Sequence, residues 1–186
     1  MKVTQYLLLL LFINGVSAAF SAEPGREYKI KAGFLYKFLL FAEWPESAFK
    51  QSENTIIVGI LGENPFEDLF DLVQGTPVNG RKLEIIHFHR DTEVEVLKYC
   101  HLLFIDASLE NDYVRILDGL RGYPVLTVGE IIGFGAAGGM INFVMEENNV
   151  AFEINKSAAE HAGITLRSKL LRVAVRIIDD HERGPK

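Results

Sequence analysis

His87, His89 and His101 are the side chains of this chain whose spacing most nearly suggests metal chemistry. The first two stand two apart in RKLEIIHFH, a run that reads as a strand, so they share one face, and His101 could bring a third nitrogen. No neighbouring cysteine or carboxylate completes a recognised ligand pattern. The expectation is a polar, partly exposed strand face and no metal. GFGAAG (Gly133 to Gly138) matches the dinucleotide-binding G-x-G-x-x-G letter for letter. That fingerprint works when a strand runs into the glycines and a helix N-terminus behind them receives the pyrophosphate. Here a helix-like EIIGF precedes and the strand MINFV follows, so the glycines are expected to serve a sharp turn and no cofactor.

Catalytic constellations are absent from the pattern. There is no G-x-S-x-G and no H-E-x-x-H, and the adjacent carboxylates Asp179 and Asp180 read as solvated charge on a polar tail. Cys100 is the single cysteine, so no intramolecular disulfide can form. It leads into an apolar run and reads as a small buried hydrophobe, with an intermolecular thiol as the alternative. No catalytic residue is assigned, and a binding module is the expected class. Its ligand positions are expected in the loops at strand ends, GENP after the first strand and VGE after Val128, where α/β sheets tend to bind small molecules.

The elements that would position such loops follow from periodicity. In YKIKAGFLYKFLLFAEWP (Tyr28 to Pro45), Ile30, Phe34, Leu35, Phe38, Leu39 and Phe41 fall on one arc at 100° per residue, which predicts an amphipathic helix. It either packs in the core or faces a partner, and core packing is the expectation. Lys31 breaks the apolar arc and must reach water or a carboxylate along apolar surface. TIIVGIL predicts a buried strand, and Asn64-Pro65 with the stripe Phe66, Leu69, Phe70, Val73 predicts a helix behind it. Strands over Arg81 to His89 and His101 to Asp106, a short helix in NDYVRILDGL and a strand in YPVLTVG continue a βαβ rhythm. GGMINFVMEENNVAFEIN predicts an antiparallel hairpin turning at Glu146 to Asn149, and KSAAEHAGI and RSKLLRVAVRII predict closing helices. The fold class expected is a three-layer α/β sandwich with a Rossmann-like mixed sheet, mostly parallel, carrying an antiparallel hairpin near the C-terminus.

Residues 1–22 read as a cleaved secretory signal: Lys2, an apolar run from Tyr6 to Val16, then small residues, with cleavage after Ala18 or Ala22. An uncleaved anchor is the alternative, but the run is short for a bilayer. Residues 23–186 then form one domain, exported, with no insertion of the mature chain in the membrane. The formal charge of −6 disfavours nucleic acid as a partner.

EYKIKAGFLYKFLLFAEWP, VGILGENPF, CHLLFI, PVLTVGE, GGMINFV, FEIN and SKLLRVA, in this order, resemble the YfiR-like family of small periplasmic proteins, formerly a domain of unknown function. The resemblance runs from about Glu27 to Ala174 and is similar across nearly the whole mature chain. It implies a periplasmic repressor that binds the periplasmic sensor region of an inner-membrane diguanylate cyclase, lowering cyclic di-GMP and biofilm formation. It also implies a homodimer and small ligands that relieve repression. A small-ligand sensor serving another membrane system is the alternative. Two departures stand out: redox-responsive members carry several cysteines where this chain has Cys100 alone, and Ala151 stands where an arginine commonly precedes FEIN. For the partner or ligand surface the candidates are Glu153 and Asn155 on the hairpin, the basic cluster Arg167, Lys169 and Arg172, and Lys31 and Glu43 on the first helix. Asn155 has a second reading as the N-cap of the helix that follows.

Overall fold

The computed structural model describes residues 24–179; the expected leader over residues 1–22 and Asp180 lie outside them. Helix α1 spans Pro24–Phe41, and a two-residue strand β1, Ala42–Glu43, leaves it. Strand β2 is Thr55–Leu61, β3 is Pro77–Val78, β4 is Arg81–Phe88, and a single helical turn α2 is Val94–Leu97. Strand β5 (Leu102–Ile105), helix α3 (Tyr113–Leu120) and strand β6 (Leu126–Gly129) follow. The hairpin is β7 (Ile141–Glu146) and β8 (Asn149–Asn155), and its turn residues Glu147 and Asn148 both take positive φ, as a tight two-residue hairpin loop requires. Helix α4 (Lys156–His161), β9 (Thr165–Leu166), α5 (Ser168–Leu171) and β10 (Arg176–Ile178) complete the described chain.

Eight strands form one sheet in the order β10-β8-β7-β6-β5-β2-β4-β3. All neighbours are parallel except β7 with β8 and β3 with β4. The chain passes from β2 to β4 on one side and to β5 on the other, so the strand order reverses between β2 and β5.

Alternation along the strands divides the core into two. Ile56, Val58, Ile60, Leu102, Phe104, Leu126, Val128, Phe143, Phe152 and Ile154 pack with Leu35 and Phe38 of α1 and with residues of α4 and α5. The intervening Leu61, Leu103 and Ile105 face the other way and pack with Leu97, Ile116, Leu117 and Leu120 of α2 and α3. These are the three layers expected. On the α1 side an aromatic cluster forms the centre: Phe38 lies 5.0 Å from Phe152 and 5.8 Å from Phe143, ring centre to ring centre. The helix of Tyr28 to Pro45 is thus a core helix, ending at Phe41.

Three segments differ from expectation. Residues 65–73 form successive turns in place of a helix: Glu67 sits at φ 49°, and Leu69, Asp71 and Val73 donate three residues back. A left-handed residue cannot continue an α-helix, although Phe66 and Phe70 are buried as the stripe predicts. EIIGF forms turns as well, with Gly133 at φ 83°. The closing helix stops at Leu171, a turn follows through Val173, and Arg176–Ile178 form β10, because the β-branched run finds the free edge of β8.

Candidate functional site

Two buried charges, Lys31 and Glu130, meet where α1 passes the C-terminal end of β6. Lys31 projects from the apolar arc of α1, and its stem crosses the Phe143 ring to bring Nζ within 2.5 Å of Glu130 Oε2. Glu130 follows Gly129 directly, so the last residue of β6 aims it across the sheet end. Both side chains are almost closed to solvent. Glu27, one helical turn before Lys31, forms a second ion pair with Nζ, and the Tyr28 hydroxyl donates to Glu130 Oε1 at 3.1 Å. Asn142 Oδ1 accepts from the Ile131 amide and fixes the turn that carries Glu130.

Burial pushes the Glu130 carboxyl up, and the Lys31 ammonium and the Tyr28 hydroxyl hold it back down. Burial and the neighbouring Glu130 push the Tyr28 phenol above its ordinary range. The two charges taken from water here are stabilised by each other, by Glu27 and by these hydrogen bonds.

This cluster forms one wall of a cleft of about 720 Å³. Glu153 of β8 and Arg176 of β10, ion-paired at 3.2 Å, line the cleft as well. Ile132 and Met145, 94% and 50% exposed, supply apolar surface at its side. The arrangement brings carboxylates, a lysine, a guanidinium and exposed apolar groups together from α1, the loops after β5 and β6, the hairpin and the start of β10, a concave site of the kind that holds ligands. It suits recognition: the acids and bases are engaged with one another.

The candidate residues fall into two places. Lys31 and Glu153 line the cleft. Glu43, Arg167, Lys169 and Arg172 gather instead around the C-terminal end of α1. Arg167 Nε donates to Glu43 at 2.6 Å, the Arg167 amide donates to Phe41, and Lys169 Nζ lies 5.4 Å from the Phe41 ring centre. Asn155 is buried: its Oδ1 accepts from the Ala158 amide as the cap of α4, and its Nδ2 donates to the Gly135 carbonyl at 2.8 Å. Its side chain therefore does not reach outward beside Glu153. Glu130, Tyr28 and Arg176 were not singled out from sequence. The apolar-arc position of Lys31 signalled that a carboxylate must be near, and VGE marked the loop, but only the fold joins them.

Among the described residues no group of three or more histidines, cysteines and carboxylates could hold a metal ion. His87 and His89 are exposed, and His101 is buried at the start of β5. The glycines around GFGAAG make room for a side chain: a Cβ on Gly139 or Gly129 would lie 2.1 Å or 2.6 Å from the Phe134 ring. Cys100 is buried, its Sγ over Gly59. Asp179 is not solvated tail charge, since it accepts from Lys156 Nζ at 2.9 Å. Ala151 pairs with Val144 across the hairpin. No helix among the described residues is long and apolar enough to cross a membrane.

A family model described as YfiR/HmsC-like matches residues 28–175, from the first turns of α1 to the start of β10. No curated protein matches the chain.

Proposed function

The chain belongs to the YfiR/HmsC-like family, and from that premise we propose that it is a periplasmic, non-catalytic regulator that holds an inner-membrane diguanylate cyclase inactive by binding the cyclase's periplasmic sensor region. The observation that carries this reading is the span of the family match, which takes in the helix, sheet, hairpin and cleft described above. A homodimer belongs to the same reading. The test is cellular cyclic di-GMP with the gene deleted, then restored with or without residues 1–22. A rise on deletion, reversed only by the form that carries the leader, supports a periplasmic brake. No change on deletion removes the repressor reading.

The cleft favours one second reading, a periplasmic sensor whose small ligand controls a different membrane partner. Its convergent charged groups support this. Calorimetric titration of the purified mature domain against a panel of small amphipathic metabolites tests the sensor reading, which saturable binding supports and no binding removes; the partner is separated by the cyclic di-GMP measurement above.

A further inference from the structure

Strand β10 is the last strand of the eight-stranded sheet, and among the described residues nothing pairs with its outer edge. Val173 and Val175 just before β10 and Ile177 within it are 61%, 45% and 44% exposed. The Val175 amide donates to Phe152, and Ile177 stands opposite Ile154. Ile177 therefore continues, past the last covered strand, the face that Ile154 shares with α1, while Val173 and Val175 are exposed in the turn and bend that lead into β10. The Asn155 amide goes to Met140, so Ile154 turns its peptide groups to β10. There it meets Arg176 and Ile178 on either side of its partner Ile177, and the peptide groups of Ile177 face the open edge.

The opposite edge is built differently. There β3 has two residues, begins with Pro77 and runs into the Asn79-Gly80 turn. A short strand with a proline cannot template another chain. The sheet thus blunts one edge and leaves the other with the free backbone groups of Ile177 beside exposed apolar side chains.

Charge decides what fits that edge. Arg167, Lys169, Arg172 and Arg176 are the charged residues of segment 167–178, in a chain whose formal charge is −6. Glu43 and Glu153 answer Arg167 and Arg176, but Arg172 is exposed with no ion pair among the described residues. A second copy docking here would bring the same basic side chains to the seam, and like charges across a strand pair are destabilising. A strand with carboxylates alternating with apolar residues meets both features.

We propose that β10 is a docking edge for an extended acidic segment of a partner protein, which adds to the sheet as a ninth strand. Its apolar side chains lie on Val173, Val175 and Ile177 and its carboxylates meet Arg172. The regulator reading supplies the partner's place in the cell; the surface follows from the sheet edge itself.

The test uses the full exported chain in its own cells, with the photo-crosslinking residue benzoylphenylalanine at Val175, at Ile177 or, as a control, at the exposed Leu72 in the turns before β3. Irradiation is expected to give an adduct from both β10 positions and none from Leu72. The cross-linked peptide should alternate acidic and apolar residues, and Arg172→Glu should lower adduct yield about tenfold with an unchanged melting temperature. An adduct of the chain with itself, a cross-linked peptide without carboxylates, yield insensitive to Arg172→Glu, or no adduct at either position overturns the proposal. An acidic partner that is not a cyclase leaves the docking edge standing and removes the regulator reading. A rise in cyclic di-GMP on deletion without any β10 adduct does the reverse.

Discussion

Lys31 of α1 and Glu130 at the end of β6 stand 99 positions apart in sequence and bring their charged atoms to 2.5 Å. Each side chain is nearly closed to water, and Tyr28 and Glu27 complete the hydrogen bonding. The pair ties the first helix to the mouth of the cleft, so the N-terminal turns of α1 and the β6 loop are one structural unit.

Removing Lys31 leaves the Glu130 carboxylate buried with only the Tyr28 hydroxyl to answer it, whereas removing Glu130 leaves Lys31 its pair with Glu27. Lys31→Met should cost about 3 to 5 kcal/mol in urea unfolding, and Glu130→Leu less, because Glu27 still pairs with Lys31. The double variant, which removes both charges, should recover most of that loss. Additive single losses would show that the two charges are not coupled.

Cys100 is packed against Gly59, and burial pushes its thiol up to about 12. At pH 8 the thiolate, which is the reactive form, is then about one part in ten thousand. Ellman's reagent should react with the native chain at least a thousandfold more slowly than with the urea-unfolded chain, and no disulfide-linked dimer should appear without reductant. Fast labelling of the native protein would place Sγ in reach of solvent and revive an intermolecular bridge.

What could be read before the fold was known follows from how local each signal is. β2 needed only its own apolar run, and the hairpin only its polar turn between β-rich arms; both are where the pattern puts them. Residues 65–73 show the limit, since their apolar spacing suits a helix and is still satisfied by turns once Glu67 takes a left-handed conformation. β10 was illegible for a different reason: RSKLLRVAVRII is helical in pattern over its first half, and its second half becomes a strand only because β8 offers a free edge. In the site, Lys31 announced a need for a carboxylate without naming it. Glu130 is supplied by strand order, which no window of sequence contains.

Asn155 and Arg172, both candidates for partner contact, should separate cleanly on substitution. Asn155 caps α4 and bonds Gly135, so Asn155→Ala should lower stability by about 1 to 2 kcal/mol, read as a lower melting temperature. Arg172→Glu touches no ion pair among the described residues and should stay within about 0.5 kcal/mol of the parent chain. Glu153→Arg faces Arg176 on a half-exposed strand and should cost about 1 kcal/mol or less. Equal losses for Asn155→Ala and Arg172→Glu would contradict the packing described for both.

His101 makes the stability of the fold depend on pH. Its Nδ1 accepts from the Ile57 amide at 2.9 Å, which places the proton on Nε2, and the Phe49 ring stacks on it at 4.5 Å. A second proton would set a donor against the Ile57 donor inside the core. Burial, with Arg81 nearby, lowers the pKa from 6.5 to about 4. The unfolded chain therefore takes up this proton first as pH falls. The unfolded state binds more protons than the native state between about pH 6.5 and 4, so stability rises with pH across that window. The contribution is complete above 6.5 and lost as pH falls through the native pKa. A shift of this size corresponds to about 3 kcal/mol. Urea unfolding at pH 7.5 and pH 4 should show the parent chain losing roughly that much more than His101→Gln, whose amide oxygen can accept from Ile57 without titrating. Carboxylates titrate in both chains and cancel in the comparison, so equal losses would mean that His101 carries its ordinary pKa and is not held neutral by the fold.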